Sequence, residues 1–229
     1  MTVSELVVDS YLAYKGKVSS APVAGSEKYN RIILIANRKQ REWSQDTNID
    51  WPQLFQIRPL GNLVTGTQTY DLDDDIVRPS DYINLTLNGQ LVYIAVVKAR
   101  VANLYTKAAY VSGFNPKQIT FTFKVDASFS GSAITFPCYV TPADLKSGSQ
   151  RIMPEHSRWL VYAVAAELAR NDFSKEEQYS NLIGQANDLY AKMVEEAQNN
   201  SFAQPNGVIN LMPQVSSLEY NQFTGYGVN

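Results

Sequence analysis

The aspartates of the segment DLDDD are the first residues in this chain whose spacing could do chemistry. Asp71, Asp73 and Asp75 alternate as the first ligands of an EF-hand calcium loop do. That loop also needs glycine at its sixth position and glutamate at its twelfth, where this chain has Ile76 and Tyr82. The pattern therefore predicts a solvated acidic turn between two strands, without a metal ion.

The chain contains only one histidine and one cysteine, so few catalytic or metal-binding arrangements of these residues are possible. His156 is the only histidine, so the usual nucleophile–histidine pairs and histidine metal clusters are disfavoured. Cys138 lies in the apolar run TFPCYV, which is typical of a small buried side chain. The chain contains no phosphate-binding loop, dinucleotide fingerprint or nucleophile elbow. We therefore expect no catalytic residue and no cofactor, so that the protein is not an enzyme.

One enzymatic alternative leaves no local signature in a sequence. Glycoside hydrolysis needs only a pair of carboxylates, which any fold can bring together. A carbohydrate-binding or carbohydrate-hydrolysing protein therefore stays open, and it would require a deep pocket with paired carboxylates.

The composition favours a protein that contacts other proteins over one that binds nucleic acid. The 229 residues include 18% charged side chains, 14 tyrosines and a net charge of −2, with no block of lysine or arginine. Tyrosine suits contact surfaces because it offers a rigid face with a polar tip, whereas nucleic-acid binding requires a basic patch. The sequence has no signal peptide and no apolar run of the ~20 residues that a membrane span requires. We expect a protein made in the cytoplasm, without a membrane partner.

The elements that must position these residues follow a helix–β–helix order, which predicts the α+β class. Helical periodicity, Thr2 and Ser26 as caps, and two apolar stripes near the end predict four helices. Alternating segments between them predict a β-rich insertion, with a turn at Gly61-Asn62 and a hairpin turn at Asn88-Gly89. Pro154 is expected in the first turn of the third helix, and Ser174 is expected to cap the fourth. The predicted ranges are helices 2–15 and 26–47, insertion 54–141, and helices 154–171 and 174–198.

Residues 1–198 are thus expected to form one domain, a helical bundle of two N-terminal and two long C-terminal helices with the β insertion. An extended C-terminal tail, residues 199–229, follows and is rich in polar residues. It carries scattered apolar side chains that are candidates for docking on a partner. They are Val208, Ile209, Leu211, Met212, Leu218, Tyr220 and Phe223.

The most informative stretch runs from the second helix into the insertion. Trp43 falls near the end of the helix, and Pro52 disfavours helix at Trp51, so the helix ends before that dipeptide. We interpret Trp43, Trp51 and Pro52 as core and hinge residues at the junction between the helices and the insertion. Tyr70, in a predicted strand, belongs to the same structural set.

These landmarks, in their order and spacing, resemble the head–tail adaptor (connector) proteins of tailed bacteriophages. The resemblance covers about residues 1–198. It is carried by an Arg-Glu-Trp helix ending, a Trp-Pro dipeptide, a Tyr-Asp-Leu strand, an Arg-Pro strand and a closing helix pair. The segments in question are Arg41–Trp43, Trp51–Leu54, Thr69–Leu72, Val77–Pro79 and Pro154–Asp172.

The resemblance implies a structural protein of the virion at the head–tail junction. It implies a dodecameric ring, assembled in the host cytoplasm, with the portal protein above, a tail or nozzle protein below, and DNA passing through the lumen without specific binding. On this reading we expect Asp73, Asp74 and Asp75 to face the lumen or an inter-ring surface, and the tail to dock on the portal. A stopper or nozzle ring of the tail or baseplate is the alternative within the same class.

Overall fold

The computed structural model describes residues 1–16, 21–46, 48–87, 89–127, 129–146, 148–154 and 156–202. They combine α-helices with two antiparallel sheets, so the predicted α+β class is confirmed. The helices are Val3–Lys15 (α1), Glu27–Ser44 (α2), Ser157–Arg170 (α3) and Glu176–Phe202 (α4). Every strand of the described ranges lies between α2 and α3. The residues of the predicted docking tail, Val208 to Phe223, lie outside the described ranges, as do Asn88 and Glu155.

The first two helices begin at the caps that the sequence predicts. Thr2 and Glu5 form a capping box at α1: Thr2 N–H donates to the Glu5 carboxylate (2.8 Å) and Glu5 N–H donates to the Thr2 hydroxyl (3.3 Å). Ser26 caps α2, because its hydroxyl accepts from Tyr29 N–H at 3.3 Å. Gly16 ends α1 in the left-handed conformation (φ 70°), which suits glycine since it lacks Cβ.

The boundaries of the later helices differ from the prediction. α3 begins at Ser157 with His156 at the N-cap position, so Pro154 precedes the helix. Ser174 does not cap α4; instead the Asp172 carboxylate accepts from Ser174 N–H (3.2 Å), and a 3₁₀ turn, Phe173–Lys175, leads into the helix. α2 ends at Ser44, earlier than residue 47, and α4 continues to Phe202, past residue 198.

The insertion consists of two antiparallel sheets. In the larger sheet, β8 pairs with β1 along one side and with β3 and β4 along the other, and β5 pairs with β4; the smaller sheet has the order β2-β7-β6. The strands are Phe55–Asn62 (β1), Thr69–Asp71 (β2), Ile76–Pro79 (β3), Tyr82–Leu87 (β4), Gln90–Ala95 (β5), Ala109–Ser112 (β6), Gln118–Phe121 (β7) and Ala133–Val140 (β8). The predicted turn at Gly61-Asn62 is wrong. Both residues belong to β1, which absorbs an irregularity in its register between Pro59 and Gly61.

The buried apolar side chains of the described residues form two large cores and a small third cluster between α3 and α4. One lies among the helices and includes Leu6, Ile32, Trp43 and Leu160; the linkers on both sides of the insertion contribute to it. The other lies between the sheets and includes Ile83, Ile119, Phe121 and Phe136. Apolar residues recur about every 3.6 positions in the helices that form the first core and every second position in the strands that form the other.

Helix α3 lies centrally among the helices, since α1, α2 and α4 all contact it. Its sequence explains this position: Trp159, Leu160, Val161, Ala163, Val164, Ala165, Ala166 and Ala169 are all buried. A helix that is apolar on most of its circumference can be covered only by neighbours on several sides. The other three helices bury one stripe each and expose the remainder.

Candidate assembly surfaces

The junction between the helices and the insertion is an aromatic cluster. The ring centroid of Trp43 lies 5.3 Å from that of Trp51 and 6.5 Å from that of Trp159. Tyr190 of α4 completes the cluster, 5.9 Å from both Trp51 and Trp159. Trp43 and Trp51 are each only 2% exposed. The two tryptophans predicted as core and hinge residues therefore lie in the helical core, one on each side of the chain's exit from α2.

Polar contacts hold this junction as well. Tyr190 donates its hydroxyl to Asp46 (2.7 Å), which fixes α4 to the end of α2. Burial, together with this hydrogen bond, raises the pKa of Tyr190 above the ordinary tyrosine value. The phenol therefore remains a donor throughout the physiological pH range. Pro52 begins a 3₁₀ turn, Pro52–Leu54, that turns the chain into β1.

Arg78 ties the Arg-Pro strand to the linker before the insertion. Its guanidinium lies 4.2 Å from the centroid of the Tyr139 ring, and it donates to the carbonyl of Ile49 (3.0 Å) and to the carboxylate of Asp50. A planar guanidinium can stack and donate at the same time, which lysine cannot do as well. Arg78 thus connects β3, β8 and the linker in one contact.

The predicted acidic turn is held mainly by one arginine. Arg58 donates to Asp75 at 2.7 Å, and its other terminal nitrogen lies 3.6 Å from Asp73. Asp74 is exposed and has no cation within 4.0 Å among the described residues, whereas Asp71 accepts from the Gln118 amide (2.8 Å). Within the described ranges, no group of three or more acidic, histidine or cysteine side chains is arranged to hold a metal ion.

Tyr70 lies at the edge of the second core. Its ring meets Phe121 edge-on at 5.8 Å, and its hydroxyl accepts from Val64 N–H at 3.0 Å. The Tyr-Asp-Leu strand therefore fixes the loop before β2 to the smaller sheet. Tyr70 thus packs against the second core.

The residues with reactive potential are engaged in other contacts. Burial raises the pKa of Cys138 from 9.0 to about 11, and its side chain lies in the core between the sheets. His156 contacts the Glu196 carboxylate at 2.6 Å across α3 and α4. A thiol with so high a pKa is a poor nucleophile at neutral pH, because the thiolate is the reactive form.

A cleft of about 470 Å³ between α1, α2 and the end of α3 gathers cations that are far apart in the sequence. Lys15, Lys28 and Arg31 line it beside Asp172, whose pKa is lowered by hydrogen bonds from Ser174 and Tyr14. This basic cluster could not be predicted from the sequence, which contains no run of basic residues. Its lining contains neither histidine nor cysteine.

Another cleft, about 680 Å³, lies between the end of α2 and the insertion. Asp75 and Asp144 line it, which bears on the carbohydrate alternative. Each is hydrogen-bonded to an arginine: Arg58 donates to Asp75 (2.7 Å) and Arg41 to Asp144 (2.6 Å). Arg58 connects β1 to the turn before β3, and Arg41 connects α2 to the linker after β8.

Apolar side chains are exposed on the outer face of the larger sheet. Phe55 and Ile57 of β1, Tyr82 of β4 and Leu91 of β5 are all at least 38% exposed. They alternate along their strands with residues turned toward the core, so they share the opposite face. Aromatic pairs stiffen this face: Phe55 packs on Tyr139 at 5.5 Å and Tyr82 on Tyr93 at 5.4 Å. A face of this composition suits contact with another protein.

Two comparisons of the sequence with known proteins give no relative from which to transfer a function. No protein-family model matches the chain, and a search of curated proteins finds no match either. None of the described helices is both long enough and apolar enough to cross a membrane.

Proposed function

We propose that this protein is a structural, non-enzymatic component of a bacteriophage virion, the adaptor that joins the capsid to the tail. Its copies form a ring beneath the portal, and DNA passes through the lumen. The observation that carries the proposal is that residues of the resembling motifs make the contacts that hold the elements of the fold together. Trp43 and Trp51 connect α2 to the linker before the insertion, and Arg78 connects that linker to β3 and β8. Tyr70 fixes a loop within the insertion.

Rigid joints of this kind are what a ring subunit requires. A ring closes only if every copy presents its two contact surfaces at the same angle. In this chain the angle between the helices and the insertion depends on the tryptophan cluster and on Arg78. Buried aromatic packing and a stacked arginine resist bending better than a flexible linker does.

The surfaces support assembly more than catalysis. The outer face of the larger sheet exposes Ile57 (59%) and other apolar side chains that a neighbouring protein would cover. We place the acidic turn, Asp73 to Asp75, on the lumen or on a surface between rings, where carboxylates would repel the phosphates of passing DNA. An assembled ring with these carboxylates on its outer wall would contradict that placement.

The tail is the proposed portal contact. Its apolar residues, from Val208 to Phe223, would lie in grooves of the portal ring. Removing residues 203–229 should leave the folded core intact and abolish co-assembly with the portal. Unchanged co-assembly of the truncated protein would refute this role.

Two alternatives remain distinct from the adaptor. A stopper or nozzle ring would also be a ring of rigid subunits, and it would bind a tail component in place of the portal. A carbohydrate-active protein would use the cleft beside Asp75 and Asp144. Titration of the isolated chain with oligosaccharides tests it: the adaptor proposal expects no saturable binding.

The direct biochemical test is size-exclusion chromatography of the purified chain mixed with the portal protein from the same genome. The adaptor proposal predicts co-elution with the portal ring at a fixed stoichiometry. Separate elution over a range of concentrations and salt would contradict it. Co-elution with a tail protein alone would favour the stopper or nozzle.

A further inference from the structure

The outward faces of α2 and α4 carry side chains at the same alternating spacing of four and three residues. Residues so spaced lie in line along one side of a helix, and two such lines pack at a shallow crossing angle. The α2 stripe is Glu27, Arg31, Leu34, Arg38 and Arg41, and the α4 stripe is Glu177, Asn181, Gly184, Asp188, Ala191 and Glu195. Apart from the half-buried Gly184, all of these residues are exposed.

The two stripes are opposite in charge. The α2 stripe has three arginines, of which Arg31 has no carboxylate within 4.0 Å among the described residues. The α4 stripe has three carboxylates, Glu177, Asp188 and Glu195, and none has a cation within that distance in the described ranges. A subunit with complementary charges on two different faces is suited to head-to-tail association.

Leu34 and Gly184 mark where a neighbour would approach closely. Leu34 is 71% exposed between Arg31 and Arg38, although it lies in the middle of a well-formed helix. Gly184 lies in the interior of α4, where glycine weakens a helix relative to alanine. A Cβ at Gly184 would meet no atom within 4 Å, so packing within the described subunit does not require glycine there.

The directions of the helices favour a parallel contact. α2 runs antiparallel to α3, since Trp43 meets Trp159 while the earlier Arg38 bonds to the later Glu167 (2.9 Å). α4 also runs antiparallel to α3, because Tyr190 meets Trp159 and the later Glu196 reaches back to His156. α2 and α4 therefore point the same way. In a ring of many subunits each copy is turned only slightly from the last, so α4 of the next copy stays nearly parallel to α2.

We propose that α2 of one copy packs in parallel against α4 of the next copy and closes the ring. In this register Arg31 lies beside Asp188, Leu34 over Ala191 and Arg38 beside Glu195. Arg31 and Arg38 are seven residues apart, and so are Asp188 and Glu195. Both charge pairs can therefore form in the same register. The absence of a side chain at Gly184 leaves room for the first turn of the neighbouring α2. This contact rests on the proposed ring and specifies its subunit interface.

Disulfide cross-linking tests the proposed register of α2 against α4 of the next copy directly. Cys138 is buried, so cysteines placed at Leu34→Cys and Ala191→Cys in one chain are the reactive thiols among the described residues. Mild oxidation of assembled rings should link successive copies into a ladder on a non-reducing gel. The matched control pairs Ala191→Cys with Leu104→Cys, a leucine 75% exposed in the insertion, and should give no ladder. Rings that form normally and give no ladder overturn the contact.

A charge exchange provides a second and independent test. Arg31→Glu and Asp188→Arg should each weaken ring formation about tenfold in mass photometry, because each places like charges together. The double variant should restore assembly, whereas Arg100→Glu, an exposed arginine of the insertion, should have no effect. Failure of the double variant to recover overturns the pairing.

The outcomes separate this contact from the adaptor proposal. If the unaltered chain forms no ring, alone or on the portal, the adaptor proposal and this contact both fall. If rings form without a ladder and without rescue, only the helix contact falls. If Arg31→Glu leaves the ring intact but abolishes portal binding, the α2 face belongs to the portal and the subunit contact is overturned.

Discussion

Replacing Trp43 by alanine should lower the free energy of unfolding by about 3 kcal/mol. A buried tryptophan or phenylalanine replaced by alanine costs about 3–5 kcal/mol, and Trp43 is 2% exposed. Its two ring contacts, with Trp51 and Trp159, contribute about 0.5–1.5 kcal/mol each to that cost. Its indole Nε1 is buried with no hydrogen-bond partner among the described atoms, so removing it recovers about 1 kcal/mol.

Urea denaturation followed by far-ultraviolet circular dichroism measures this loss. With a slope of about 2 kcal/mol per molar urea, the midpoint should fall by about 1.5 M. Trp43→Phe should lose about half as much, since it keeps a ring against Trp51. Leu104→Ala, an exposed control, should change stability by less than about 0.5 kcal/mol. A loss below about 1 kcal/mol for Trp43→Ala would refute the reasoning that the cluster holds the junction.

Three further predictions concern Arg78, Cys138 and the acidic turn. Arg78→Lys should destabilise the protein by about 1–2 kcal/mol despite the conserved charge, because lysine loses the stacking on Tyr139 and one of two hydrogen bonds; equal urea midpoints would contradict this. Cys138 should react with a thiol reagent at pH 8 only on unfolding, as its folded pKa is about 11. By linkage, the contribution of Cys138 to stability is present below pH 9 and is lost as the pH rises from 9 toward 11, because the thiol of the unfolded chain loses its proton first. Rapid labelling of the folded protein would contradict this prediction. So would a free energy of unfolding that, compared with that of Cys138→Ala, does not change between pH 9 and pH 11. Asp75→Asn should cost about 1 kcal/mol because it removes the negative charge that pairs with Arg58, whereas Asp74→Asn should cost less than about 0.5 kcal/mol. Thermal unfolding that ranks the two variants in the opposite order would show that the turn is held differently.

Features that depend on neighbouring residues in the sequence could be predicted, and those that depend on distant residues could not. The caps at Thr2 and Ser26 were predictable because a capping side chain bonds to a backbone group three residues on. The end of α2 before Pro52 was predictable for the same local reason. The start of α3 was misplaced because Pro154 suits both a first helical turn and the segment before one.

The antiparallel pairing of β4 with β5 could be predicted from the hairpin turn between them, whereas pairing between strands that are distant in the sequence could not. Gly61 has turn chemistry, yet β8 supplies partners on both sides of it, and the strand continues through an irregularity. The Arg58 bond to Asp75 and the Arg78 contact with Tyr139 join residues 17 and 61 positions apart, which no local pattern encodes. The basic cleft could not be predicted for a similar reason, because its cations lie on two separate helices, α1 and α2. The apolar face of α4 could be predicted from its helical periodicity, but the exposed α4 stripe follows only from the packing of that face on α3.

Electron microscopy of the chain bound to its portal is the measurement that tests the central claim most directly. The adaptor account predicts a second ring stacked on one face of the portal, with an open central channel, α2 and α4 of adjacent copies in contact, and the acidic turn on the channel or between the rings. Portal rings that remain bare beside free monomers, or a ring that attaches only to a tail protein, would contradict it.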